Sequence, residues 1–179
     1  LWGRILGNNT LGVVNADNTT AVFDFNTTGT TTLKGYSNFT NTGGTNRLNN
    51  AYIKRGTLIV DHTYADDPDV ANTTQVPDGV NDDADFYVLR GATMQFNQNE
   101  TTGFFATQKG SNIVVPAGVK LTIDDNAVQV IGGGFSGDGT VHFNAVGGAA
   151  WYGLFGPSTL TASPLIGSTT QVTTIRVSD

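Results

Sequence analysis

Along much of the chain, apolar and polar residues alternate one by one in short runs. Examples are Thr20-Ala21-Val22-Phe23-Asp24-Phe25, Thr57-Leu58-Ile59-Val60, Asp85-Phe86-Tyr87-Val88-Leu89, Leu121-Thr122-Ile123 and Thr140-Val141-His142-Phe143. A period of two sends successive side chains to opposite faces of an extended backbone, so each run predicts a half-buried β-strand. The residues that bound the runs are Gly, Asn and Asp, which initiate turns. Residues 16–28, among the longest stretches without Gly or Pro, are rich in Asn, Asp and Thr and carry no 3.6-residue apolar stripe. The pattern therefore predicts an all-β chain without helices.

A weak repeat orders the strands. A glycine leads into the runs Gly56-Thr57-Leu58-Ile59-Val60, Gly91-Ala92-Thr93-Met94-Gln95-Phe96, Gly118-Val119-Lys120-Leu121-Thr122-Ile123 and Gly139-Thr140-Val141-His142-Phe143, at spacings of 35, 27 and 21 residues. Solenoid coils occupy on the order of 20 to 30 residues, and longer gaps are loops inserted into a coil. One coil cannot bury its inward face alone, whereas a stack of coils buries it and pairs the backbone as well. Glycine before each strand is expected to take the positive φ of a corner. The resulting expectation is a short parallel β-solenoid. An antiparallel β-sandwich or jelly roll, with similar strands spaced by about 8 to 12 residues, is the alternative.

Composition narrows the function. Hydrophobic residues make up 38 % of the 179 and charged residues only 13 %, while 23 Gly, 10 Phe, 5 Tyr and 2 Trp are present. Such a chain has enough apolar material to fold, unlike highly charged disordered sequences. A net charge of −6, a pI near 4.6 and nine scattered basic residues argue against nucleic acid as a partner. Without Cys there is neither a disulfide framework nor a thiolate metal site. No run reaches the roughly 18 apolar residues that a membrane span requires, so membrane insertion is not expected. The chain begins Leu1-Trp2-Gly3-Arg4, without an initiator Met or a leader, and is expected to be a mature or excised segment. The expected organisation is one β domain, 1–179, with an Asp-rich insertion at about 61–85 and an apolar C-terminal cap or contact region at about 145–179.

The insertion is the most unusual local feature. It holds eight Asp: Asp61, Asp66, Asp67, Asp69, Asp78, Asp82, Asp83 and Asp85. Calcium takes six to eight oxygen ligands from carboxylates, amides and carbonyls. Asp78, Asn81, Asp83 and Asp85 are the candidate ligands, although their spacing is not that of an EF-hand. The competing reading is a solvated loop whose turns start at Asp and Asn. Either way, a long loop on a rigid repeat is a natural binding face.

Evidence for catalysis is thin. His142 alternates with Val141 and Phe143, as a solvent-facing strand residue does. His62 lies near Asp61, Asp66 and Asp67 but has no second His, Cys or positioned nucleophile beside it. Glycoside hydrolysis needs two carboxylates at a fixed separation, and the single Glu, Glu100, falls in the polar run Asn97-Gln98-Asn99-Glu100-Thr101, read as a turn. Six Asn-x-Thr sequons, at Asn8, Asn18, Asn26, Asn38, Asn72 and Asn99, are either chance products of an Asn- and Thr-rich chain or glycosylation sites of an extracellular one. The apolar ends, with Leu1, Trp2, Ile5 and Leu6 at one and Trp151, Tyr152 and Phe155 at the other, are read either as caps or as subunit contacts. In the second case a terminal strand adds to the next copy and propagates a filament.

Residues 29–60 carry a more specific signal. A Gly-Thr strand (29–33) precedes an Asn-aromatic-Thr segment (36–40), then Gly43-Gly44-Thr45, then Gly56-Thr57-Leu58-Ile59-Val60. This order resembles the passenger-associated transport repeat of bacterial autotransporters, with a longer link between Thr45 and Gly56. The later Gly132-Gly133-Gly134-Phe135-Ser136-Gly137-Asp138-Gly139-Thr140-Val141 looks like a coil of the same passengers. The resemblance covers about a third of the chain. It implies a right-handed parallel β-helix exported to a cell surface as a stalk or adhesin, with no catalytic residue to carry over.

These readings converge on a non-enzymatic, secreted or surface-displayed module, structural or adhesive in function. Its expected partners are copies of itself or a larger parent chain, and a glycan or host-surface ligand. Calcium is the only cofactor suggested. The alternatives are a self-assembling filament or viral fibre subunit joined through its terminal strands, and a polysaccharide-processing enzyme.

Overall fold

The computed structural model describes residues 2–5, 9–11, 14–15, 22–34, 37–38, 50–61, 85–103, 105–123, 128–143, 150–155, 163–166 and 173–178, with side chains described for 24–34, 51–61, 86–103, 105–123 and 131–143. All the regular structure in them is β. In chain order the strands are β1 (Trp2–Ile5), β2 (Asn9–Leu11), β3 (Val14–Asn15), β4 (Val22–Leu33), β5 (Ser37–Asn38) and β6 (Asn50–Val60). There follow β7 (Asp85–Val88), β8 (Ala92–Phe96), β9 (Glu100–Thr102), β10 (Phe105–Thr107), β11 (Asn112–Val114) and β12 (Lys120–Ile123). The last are β13 (Val128–Ile131), β14 (Gly134–Ser136), β15 (Thr140–Phe143), β16 (Ala150–Phe155), β17 (Ser163–Ile166) and β18 (Thr173–Ser178).

Every strand pair among the described residues is parallel. The antiparallel pairing that a sandwich requires does not occur among them. The pairs align in columns. The first runs β1, β4, β6, β7, β10, β13, β16, β18 through the leading halves of β4 and β6. The second runs β2, β4, β6, β8, β11, β14 through their trailing halves. The third holds β9, β12, β15 and β17, with β3 and β5 paired separately. Both β4 and β6 therefore pass through a corner, and in β4 a register irregularity between Phe25 and Thr30 marks it. The strands curl as they stack.

The period of one tier differs from that of the glycine-led runs. Phe86 pairs with Phe105, 19 positions later, and Leu121 pairs with Val141, 20 positions later, whereas Thr107 pairs with Ile131, 24 later. Gly56, Gly91 and Gly110 occupy the corner between the first and second columns, while Gly118 and Gly139 precede strands of the third. The interval from Gly91 to Gly118 thus combines one tier with a step to the next corner. Three of the four leading glycines, Gly56, Gly91 and Gly118, have the expected positive φ. Gly139 is glycine for another reason: a Cβ there would meet the carbonyl oxygens of Pro116 and Val119 at 2.4 and 2.6 Å.

The period-two pattern becomes an inside and an outside. In β8 the inward residues Ala92, Met94 and Phe96 are buried, while Thr93 and Gln95 between them are half-buried on the outer surface. Register stacks like upon like in the interior: Leu58, Met94, Ile113 and Phe135 form one row, and Leu33, Val60 and Phe96 another. Phe105 lies 5.5 Å from Phe86 and 6.2 Å edge-on from Phe96 (ring centroids), and Phe135 meets Phe143 edge-on at 5.8 Å. Such tilted and T-shaped contacts suit the ring quadrupoles. A continuous apolar core thus fills the space between the columns.

Candidate functional site

The outward rows are where a stack of this kind can meet a partner. On the first column, register aligns Asp24, Tyr52 and Tyr87. The Tyr52 and Tyr87 rings stack at 4.7 Å between centroids and 17° between planes. Lys54 sits 5.9 Å from the Tyr52 ring centre and donates to the Asp24 carboxylate at 2.7 Å. Parallel pairing holds these groups together because outward residues of neighbouring tiers fall on one line. This pair of tyrosines is not among the candidate residues that the sequence pointed to. Its signal was available in the matching triplets Ala51-Tyr52-Ile53 and Phe86-Tyr87-Val88, each with an outward Tyr between two core residues.

The outer rows of the second column are uncharged and mostly polar, with Ile59 and Val114 as the apolar members. Thr30, Thr57, Thr93 and Asn112 are in register, and Thr32, Ile59, Gln95, Val114 and Ser136 form the neighbouring line. The Asn112 amide donates to Ser136 Oγ at 2.9 Å across one tier. At the end of this column Lys34 donates to Asp61 at 2.6 Å. Asp61, read as part of an acidic insertion, is thereby committed to an ion pair between tiers.

Glu100 differs most from its sequence reading. It is not in a turn: it opens β9, pairs in register with Leu121 and is 4 % exposed. The turn is confined to 97–99, and Asn99 uses its side-chain oxygen to accept the Lys120 N–H at 2.8 Å. His142 follows the expectation, half-buried between the core residues Val141 and Phe143. His62 lies outside the described residues.

Of the candidate calcium ligands, Asp78, Asn81 and Asp83 lie outside the described residues, and Asp85 opens β7 opposite Asn50. Among the described residues no group of three His, Cys, Asp or Glu is placed to hold a metal ion. Leu1 and Leu6 lie outside the described residues, while Trp2 and Ile5 bound β1 and pair with Val22 and Phe25. Trp151, Tyr152 and Phe155 are on β16, whose two edges are taken by β13 and β18. At that end of the first column, among the described residues, the strand open to addition is therefore β18. Asn26 is half-buried on β4, Asn38 is on β5 and Asn99 is exposed, whereas Asn8, Asn18 and Asn72 lie outside the described residues. No described helix is long and apolar enough to cross a membrane.

Two features flank one corner of the stack: the tyrosine pair on the first column and the threonine row on the second. Neither is a cleft with converging acids and bases. Comparison of the chain with models of protein families, with curated proteins and with solved structures yields no match.

Proposed function

We propose that the chain is a short right-handed parallel β-solenoid acting outside the cell, as a non-enzymatic structural or adhesive module of the kind the autotransporter-like repeat implies. Its sides and ends do the work in this reading. The observation that carries it is the parallel register, which turns outward side chains of distant sequence positions into straight, regular rows. A rigid core under such rows is suited to display, because the rows do not need to move to present themselves.

The frame is tested with paired cysteines in a chain that has none of its own. Thr57→Cys with Thr93→Cys places two thiols on directly paired outward positions, within the reach of a disulfide. Oxidation is expected to cross-link them within one chain, while Ile59→Cys with Thr93→Cys, two positions out of register, is expected not to. Equal cross-linking of both pairs overturns the stack. For function, beads coated with the chain are expected to adhere to a glycan-bearing surface without depolymerising it. Release of reducing sugar would favour the enzyme instead.

A second reading, a filament subunit, draws on the outermost strands β1 and β18 of the first column, each paired on one side only among the described residues. Electron microscopy of the purified chain separates the two: filaments support end-to-end addition, and separate particles support display.

A further inference from the structure

The corner between the first and second columns repeats one dipeptide in three successive tiers: Arg55-Gly56, Arg90-Gly91 and Lys109-Gly110. The glycines have φ of 68°, 80° and 86°. Pairing of Ile53 with Val88 and of Val88 with Thr107 fixes the corner on one side. Pairing of Gly56 with Ala92 and of Thr93 with Asn112 fixes it on the other. Four residues separate Val88 from Thr93 and Thr107 from Asn112, so Arg90 and Lys109 fall on one line, while three separate Ile53 from Thr57, so Arg55 stands at the same corner shifted by one position against the second column. The Gly91 N–H donates to the Gly110 carbonyl at 3.0 Å, and the Arg90 stem runs beside Gly110. All three basic residues are exposed.

This line is distinctive in three ways. It gathers three of the nine basic residues of a chain whose net charge is −6. Among the described residues none of the three is in an ion pair, whereas Lys34 and Lys54 both are. It also has ends: the next tier turns this corner with Gly132-Gly133, and the preceding one places Asn26 opposite Arg55, followed by Thr27 and Thr28. Packing does not call for the charges, because the glycines make the turn and the charged groups point into solvent. Like charges one strand spacing apart, about 4.8 Å, repel one another. An anion of matching spacing relieves that repulsion.

We propose that this ridge binds a linear anionic polysaccharide carrying one acid group, carboxylate or sulfate, on each sugar residue. The strand spacing is close to the length of one pyranose residue in an extended chain, so acid groups one or two sugars apart fall within reach of the long Arg and Lys side chains of the ridge. The Tyr52–Tyr87 stack lies on one flank of the ridge, and the hydroxyl and amide groups of Thr57, Thr93 and Asn112 lie on the other. Aromatic and hydroxyl groups of this kind contact the apolar faces and hydroxyls of sugars. A nucleic acid fits less well, because its affinity rests on a positive field over many phosphates and this chain is acidic outside a ridge of three. The inference deepens the adhesive reading and rests on it.

The test uses the full chain and four probes: polygalacturonate, the same polymer with its carboxyls methyl-esterified, a sulfated galactan, and an oligothymidylate. Binding to polygalacturonate is expected, weakening as salt rises. The esterified polymer and the oligonucleotide are each expected to bind at least about tenfold more weakly, on the scale of one charge-assisted contact. Arg90→Gln, at the middle of the ridge, is expected to weaken binding by about tenfold. Lys120→Gln removes the same charge from the third column and is expected to leave binding within about twofold, the effect of a distant screened charge. The triple variant R55Q/R90Q/K109Q is expected to lose binding while keeping its circular dichroism. Retained binding by the triple variant, equal binding of the esterified polymer or the oligonucleotide, or no binding of polygalacturonate and of a sulfated galactan, each overturns the proposal. The Thr57→Cys/Thr93→Cys cross-link reports the frame separately, so a ridge that fails on an intact stack is distinguished from a stack that does not exist.

Discussion

At the scale of single residues, two glycines of one corner separate backbone strain from crowding. Gly56 and Gly91 both have positive φ, but a Cβ at Gly56 would meet the carbonyl oxygens of Gly29 and Thr27 at 2.3 and 2.6 Å, while one at Gly91 would meet nothing within 4 Å. Gly91→Ala is therefore expected to cost only the left-handed backbone penalty of about 1 to 2 kcal/mol. Gly56→Ala adds a clash with backbone that cannot rotate away, a further ~1 to 3 kcal/mol. Urea denaturation of the two variants checks the order, and equal midpoints would contradict the close tier contact at Gly56. The positive φ at these positions was legible in the sequence because strands follow each glycine directly. The demand for close approach at Gly139 was not, since it depends on Pro116 and Val119 of the preceding tier. Glu100 was misplaced for a related reason: amid Asn97, Gln98 and Asn99 it looks like turn material, and only the pairing with Leu121 reveals its inward face.

At the scale of elements, strands were easier to read than corners. Runs such as 57–60 and 140–143 announce themselves by alternation. Which corner each occupies depends on tier lengths of 19 to 36 residues that no local pattern displays. The corner between β13 and β14 shows what such a turn requires. There Thr107 Oγ1 accepts the Gly132 and Gly133 N–H groups at 3.1 and 2.9 Å, while the Thr107 carbonyl also accepts Gly132 at 2.8 Å. Thr107→Val keeps the shape and leaves the Gly133 N–H without that acceptor in the interior. The expected loss is about 1 to 3 kcal/mol, the cost of a buried donor left unmade. Hydrogen exchange at Gly133 is expected to accelerate more than at Gly132; unchanged exchange would mean that the hydroxyl does not hold the corner. The basic ridge was hidden from sequence reading because Arg55, Arg90 and Lys109 are far apart along the chain. Their shared Lys/Arg-Gly dipeptide was a usable signal, though Lys34-Gly35 has it too.

At the scale of the whole molecule, stability in a stack comes from each tier and its two neighbours. The tiers of β6, β8 and β11 have described neighbours on both sides, whereas β1 and β18 are paired on one side. Amide exchange is accordingly expected to be slowest at 58–60, 92–96 and 112–114 and to quicken toward both ends of the first column. Uniform protection would instead indicate one all-or-none unit. The ion pairs Lys34–Asp61 and Lys54–Asp24 both tie β4 to β6. Being partly exposed, they contribute about 0 to 1 kcal/mol each, so high salt is expected to loosen that junction only slightly. The all-β character of the described residues was readable from alternation, and the parallel stacking from the glycine-led repeat, which left an antiparallel sandwich open. The surfaces were not, because register alone creates them.

The junction of β6 with β7 has a practical consequence. Asn50 stays opposite Asp85 and Gly56 opposite Ala92 although residues 62–84 intervene between the two tiers. The frame thus holds its register across an intervening segment of this length. Foreign peptides of comparable length grafted there are expected to leave the register untouched, with no redesign of the scaffold beneath them.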